Sequence, residues 1–232
     1  ALQQLHTLQR RTQALAGSQC WQLTVAVEEC LSPQIMAPAL SVWHQRWPGR
    51  LLTIGQYEHG ELMHQLEQQQ LQLALAYEHQ DHLPGFNYRR LGYMDEVFVA
   101  SPEWVKTCGF NPTAQQLCQQ LELVWAGQAA EELKQMSASA NEALNPENWL
   151  LSDIGLLKQL LIRGCGYALL PRLEVQAEID AGQVTVLQPD FETAQIDRRI
   201  QLVWAPGLEQ QEEVGSLIEL LTQSLEPTSA PQ

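Results

Sequence analysis

Apolar residues along this chain fall into short runs of strand length, separated by longer stretches of helical spacing. Residues 23–27 (Leu-Thr-Val-Ala-Val) form a first strand-like run. A helical stretch over residues 33–47 follows, and Pro48-Gly49 breaks it. Residues 51–54 read as the second strand, 61–70 as the second helix and 71–76 as the third strand. This β-α-β-α-β rhythm predicts a parallel sheet with right-handed crossovers. Residues 86–91 and 96–100 read as two further strands. After Ser101-Pro102 a second unit begins: a helix over 113–120, a strand over 121–125 and a helix starting near Gln128. A strand over 149–151 comes next, then a helix from an Asp153 cap to Arg163. Strand 167–170, helix 172–180, strands 184–187 and 200–204, and a last helix over 212–225 complete the pattern. Residues 1–16 carry Leu2, Leu5, Leu8, Thr12 and Leu15 at helical spacing, a stripe too short to hold a helix alone. The tail 227–232 is expected to be disordered.

Composition narrows the function. The net charge of −14 disfavours a nucleic-acid surface on these residues, because phosphate contact needs clustered Lys and Arg. No apolar run reaches the roughly 18 residues of a membrane span. The start lacks the basic and apolar regions of a signal peptide, and Ala1 in place of Met reads as a fragment or processed product. The five cysteines are scattered, without a C-x-x-C, as expected of thiols in the cytoplasm. Glu78, His79, Asp81 and His82 are metal-type side chains, but no second cluster completes a geometry, so no metal is expected. There is no G-x-S-x-G, no P-loop, and no G-x-G-x-x-G opening a helix. Hence no catalytic residue, no cofactor and no enzymatic activity are expected.

The most informative stretch is residues 160–171, LLIRGCGYALLP. A helical run ends in Gly164-Cys165-Gly166, where glycines stop a helix and permit a φ > 0 turn. Residues 167–170 then read as an interior parallel strand, ended by Pro171. An ordinary αβ turn has the same local ingredients. The stretch resembles the "aGlGiallP" signature of LysR-type transcriptional regulators, in their effector-binding domain. Other pieces resemble that family in order. Residues 21–26 resemble its opening strand, and 40–48 (LSVWHQRWP) resemble "l..F..ryP" with Trp in both aromatic places. Residues 91–102 (LGYMDEVFVASP) resemble "L..delvlvvp..HP", with Ser101 in place of His, and 200–204 resemble the closing strand. Residues 66–76 resemble "L..GelDlal", with Gln69 and Gln72 where Gly and Asp are usual.

The resemblance implies an α/β fold of two Rossmann-like lobes joined by two crossover strands, the periplasmic-binding-protein type 2 fold. It assigns residues 1–18 to the end of a linker helix, 19–97 and 197–226 to lobe I, and 98–196 to lobe II. The DNA-binding winged helix-turn-helix of such regulators is absent from these residues. Promoter DNA, a homodimer or homotetramer, and a small-molecule effector are the implied partners, with no membrane. By the same resemblance, helices 33–47 and 212–225 are candidate dimer surfaces.

In a two-lobed α/β binder the ligand lies at the carboxyl ends of strands, against helix N-termini. After the first strand these positions are Glu28, Glu29, Cys30, Leu31 and Ser32; Cys30 matches the place of an effector-contacting Ser or Thr in the family. After the second strand they are Tyr57, Glu58 and His59. In the second unit they are Trp125, Gly127, Ser152, Asp153, Leu170 and Pro171, with Arg198 near the second crossover. Structural roles compete at each: Ser152 and Asp153 as helix caps, Glu28 and Glu29 as complements of a helix dipole, Cys30 as a buried small hydrophobe. If they converge, the cleft is acidic and aromatic, which favours a cationic or hydroxylated aromatic effector. A periplasmic-type solute-binding protein shares the fold and is the alternative.

Overall fold

A computed structural model describes residues 22–79, 82–125, 148–191 and 195–225. The expected linker helix, the helix near Gln128, Gly127 and the tail 227–232 lie outside them. Among the described residues one sheet runs in the order β2-β1-β3-β9-β4-β7-β5-β6, with β8 (Thr185–Val186) paired to β4. Its first half holds β1 (Gln22–Glu28), flanked by the parallel strands β2 (Leu51–Tyr57) and β3 (Leu73–Tyr77). Its second half holds β5 (Glu122–Trp125), parallel to β6 (Asn148–Leu151) and to β7 (Tyr167–Pro171). Two long antiparallel strands, β4 (Asn87–Ala100) and β9 (Gln195–Trp204), run through both halves and join them.

The apolar runs explain the halves. β1 is buried along all but its first residue and β3 along its whole length, as strands covered on both faces are. Leu23, Val25, Trp43, Leu73, Leu202 and Leu217 form the core of the first lobe. Helix α1 (Ala37–Arg46) lies there against the last helix, α7 (Glu212–Leu225), and Trp43 Nε1 donates to the Glu213 carbonyl at 2.7 Å. Helix α2 (His59–Glu67) covers the other face through Leu62, Met63 and Leu66. The second lobe has its own core of Val97, Val99, Leu123, Leu157, Leu161 and Leu170. Its helices are α3 (Pro102–Cys108), α4 (Ala114–Leu117), α5 (Ile154–Ile162) and α6 (Arg172–Asp180).

Several expectations need correction. Residues 86–100 hold one strand, not two, with an irregularity between Arg90 and Gly92. The apolar pattern lapses there because the first half of β4 is only partly buried, whereas residues 97–100 are enclosed. β9 starts at Gln195, five residues before the apolar run, because pairing with β4 holds a polar segment in register. Helix α3 was not expected, although Ser101 accepts from the Trp104 amide at 3.1 Å and Pro102 opens the first turn. Helix α4 is shorter than residues 113–120, a single turn closed by the Thr113/Gln116 capping box. β7 is interior but parallel only to β5, since its other neighbour β4 is antiparallel. The two glycines before it also differ in role. Gly164 takes φ +77°, whereas Gly166 is needed for space: a Cβ there would lie 2.2 Å from the Leu121 carbonyl oxygen.

Candidate functional site

β2, β1 and β3 are adjacent and parallel, so their carboxyl ends emerge side by side. Each delivers a polar residue there. Glu28 is the last residue of β1, His59 the first residue of α2 after β2, and His79 follows β3 by two residues. The Glu28 carboxylate is buried at 7% side-chain exposure, while His59 and His79 keep 20% and 30%. Glu28 Oε1 lies 2.7 Å from His79 Nε2, and Oε2 lies 3.4 Å from His59 Nδ1. The two imidazole rings lie with centroids 3.7 Å apart, tilted by 37°. The Tyr77 amide donates to Glu28 Oε2 at 3.0 Å. Burial pushes the Glu28 carboxyl up, but the hydrogen bonds and charges of His59 and His79 outweigh it and hold it below its ordinary value.

A second set of contacts reaches from this cluster to the crossover strands. Tyr77 Oη donates to the Cys30 carbonyl at 2.9 Å and lies 3.3 Å from Glu96 Oε1. The Arg198 guanidinium sits 3.8 Å above the Tyr77 ring and 3.8 Å from Glu96 Oε1. Burial first, and then the Glu96 charge, push the Tyr77 hydroxyl well above its ordinary value, so it stays a donor. Gln201 Nε2 donates to the Tyr77 carbonyl at 3.3 Å.

The segment after Glu28 crosses to the second lobe. Cys30 has φ +65°, uncommon for a side chain with a Cβ. It is buried among second-lobe residues, and its thiol donates to the Trp125 carbonyl at 3.5 Å. Two residues on, the buried Ser32 Oγ donates to Glu174 Oε1 on α6, and Gln34 Nε2 reaches Glu174 Oε2 at 3.2 Å.

The residues expected from the sequence divide accordingly. Glu28, His59, Cys30, Trp125 and Arg198 belong to the linked contacts just described. Glu29 is half-buried and its amide donates to the Tyr57 carbonyl at 2.9 Å. Tyr57 packs on the α2 core, and Glu58 is exposed at the α2 N-cap position. Leu31 and Leu170 are fully buried in the first and second cores. Pro171 ends β7 opposite Glu96. Ser152 and Asp153 are exposed, and Asp153 Oδ1 accepts from the Leu156 amide at 2.5 Å, an N-cap. Ser32 was among the positions expected after the first strand; Tyr77, Glu96 and Glu174 were not expected, and His79 was considered only within its own loop. His79 was legible by the same strand-end argument that selected Glu28 and His59.

A two-lobed α/β domain with polar side chains gathered at the carboxyl ends of its parallel strands is a small-molecule-binding domain. Residues 16–226 match the profile of the LysR substrate binding domain, so the chain belongs to that family. It is the effector-binding domain of a LysR-type transcriptional regulator, with the periplasmic-binding-protein type 2 fold. No curated protein matches the sequence. Among solved structures it resembles the MetR regulatory domain of N. meningitidis at 17% identity and TM-score 0.72, over 90% of this chain and 97% of that one. The reduced form of the OxyR2 regulatory domain of Vibrio vulnificus gives 18% identity and TM-score 0.68, over 88% and 95%. Full-length LysG of Corynebacterium glutamicum, with bound effector Arg, gives 16% and 0.69, over 97% and 76%.

Proposed function

We propose that the effector binds where the carboxyl ends of β1, β2 and β3 face the second lobe, and that its binding selects one lobe arrangement to control transcription. The observation that carries this reading is the linked polar set Glu28, His59, His79, Tyr77, Cys30 and Arg198, which connects three strand ends of lobe I to a crossover strand and to Trp125 of lobe II. The lobes run from 19–97 with 197–226, and 98–196. Glu28 within this set and Glu96 beside it accompany the guanidinium of Arg198, and Glu29 and Glu58 flank the histidine cluster in sequence. This balance favours a cationic or hydroxylated aromatic effector. The bound effector Arg of LysG places basic amino acids among the first compounds to test.

The domain works as a sensor rather than an enzyme, in the cytoplasm, within a homodimer or homotetramer. Promoter DNA is bound by a winged helix-turn-helix outside these residues. The apolar stripe of α7 (Val214, Leu217, Ile218, Leu221) is buried in its own lobe, so the pairing surface is assigned to the exposed Val42, Leu51 and Ile54 of lobe I and Trp149, Leu150 and Leu156 of lobe II. Family membership disfavours the solute-binding alternative.

The test is a thermal-shift screen of basic amino acids, amines and phenolic compounds. A ligand at 100 times its Kd stabilises the fold by about 2.7 kcal/mol. The shift should disappear in Tyr77→Phe or Arg198→Gln. Hits that survive both substitutions place the effector elsewhere.

A further inference from the structure

We infer that Glu28, His59 and His79 form a binding site for one divalent transition-metal ion, zinc or a metal of similar ligand preference. This deepens the effector reading, since the cluster is part of the proposed site. Three ligand atoms of the right chemistry, two imidazole nitrogens and a carboxylate oxygen, lie within 4.8 Å of one another. They come from three adjacent strand ends, so the sheet itself sets their spacing. Zinc with ligands at about 2.0–2.2 Å needs neighbouring donors roughly 3.3 Å apart. The Glu28 carboxylate spans the two imidazoles, with Oε1 2.7 Å from His79 Nε2 and Oε2 3.4 Å from His59 Nδ1, and rotation of the partly exposed rings brings both nitrogens to one ion. The carboxylate is already oriented: the Tyr77 amide holds Oε2 and leaves Oε1 toward His79. Such an outer contact is typical of built metal sites.

A bland reading also satisfies these groups, because each imidazole can donate an N–H to the same carboxylate. The ion is favoured by the convergence of two partly exposed imidazoles, ring centroids 3.7 Å apart, on a single buried carboxylate. Three protein ligands leave a position open, and exposure of the imidazoles places it on the solvent side, where a hydroxyl or carboxylate of an effector would complete the coordination.

The experiment uses the whole 232-residue chain, stripped with chelator and titrated with Zn²⁺ by calorimetry and with Co²⁺ by visible absorption. One saturable ion per chain is expected, with a cobalt band of low-coordinate N/O type. His59→Gln and His79→Gln should each weaken Zn²⁺ binding by roughly 100-fold or more, beyond the loss of an outer partner. His82→Gln, whose ring lies against Tyr88 at 4.5 Å, should change nothing. No saturable binding by the folded chain, or binding retained in the His59→Gln/His79→Gln double variant, overturns the metal site. The effector reading is scored separately, by repeating the organic screen on chelated protein. Hits there with no metal bound leave the effector site standing and the metal site refuted.

Discussion

Glu174 on α6 offers the most direct test of how the lobes are held. It is 6% exposed and accepts from two side chains of the first lobe, Ser32, which is fully buried, and Gln34. Ser32→Ala removes a hydrogen bond to a buried carboxylate, worth about 1.5–3 kcal/mol. Each single substitution also leaves the other buried group short of its partner, adding roughly 1–3 kcal/mol. The double variant should therefore cost less than the two singles combined. A loss of about 3 kcal/mol lowers Tm by roughly 6–12 °C at this chain length. Urea unfolding followed by circular dichroism and by tryptophan fluorescence gives the double-mutant cycle, and coincident transitions license the two-state treatment. A coupling energy below about 0.5 kcal/mol refutes the argument, because additive effects of that size are those of independent sites.

Three further outcomes follow from single contacts. Gly166→Ala would drive a methyl to 2.2 Å from the Leu121 oxygen and should destabilise by about 1–3 kcal/mol or more in chemical denaturation; a neutral result removes the close-approach argument. Asp153→Ala should cost about 0.5–2 kcal/mol through its lost cap, with effector affinity unchanged; a lost thermal-shift hit in a folded variant would instead return Asp153 to the binding site. Burial pushes the Glu122 carboxyl above its ordinary value of 4.5, only partly offset by its hydrogen bond from Tyr167. A raised folded-state pKa gives stability that is complete below 4.5 and lost as pH rises through the folded value. Glu122→Gln should therefore gain stability at pH 7 relative to pH 4, seen as a flatter Tm profile; an unchanged profile refutes the assignment.

Strand ends were readable where burial is two-sided. β1, β3 and the 167–170 strand announce themselves as apolar runs because both faces are covered. β9 did not, because Asp197, Arg198 and Arg199 are polar and only backbone pairing with β4 makes that stretch a strand. The crossover strands therefore hide in sequence at the place where they join the lobes. The same limit applied to the site. Glu28, Cys30 and His59 follow their strands directly, whereas Tyr77 ends a buried strand and reads as core. Ser32 and Glu174 are 142 residues apart, and local pattern carries no trace of their meeting.

The segment from Glu28 to Gln34 shows how a ligand could change the lobe arrangement. Glu28 is tied to the two histidines, Cys30 to Trp125 and Tyr77, and Ser32 and Gln34 to Glu174. These contacts alternate along the chain between the candidate binding cluster and the second lobe. Cys30 holds them together in a left-handed conformation that costs about 1–2 kcal/mol and persists only because its neighbours impose it. A ligand that draws Glu28 or His59 toward itself acts on a backbone already strained and already joined to α6. Its differential affinity for the two lobe arrangements need only match the contacts it makes or breaks at Trp125 and Glu174, which is the condition for a population shift. Cys30→Gly tests this coupling, with Cys30→Ala as its control: both remove the thiol, but only the glycine also removes the Cβ strain. If strain sets the balance, the effector's apparent affinity differs between the two variants while the fold stays intact by circular dichroism. Equal affinities mean the strain transmits nothing, and the two lobes are then coupled through β4 and β9 instead.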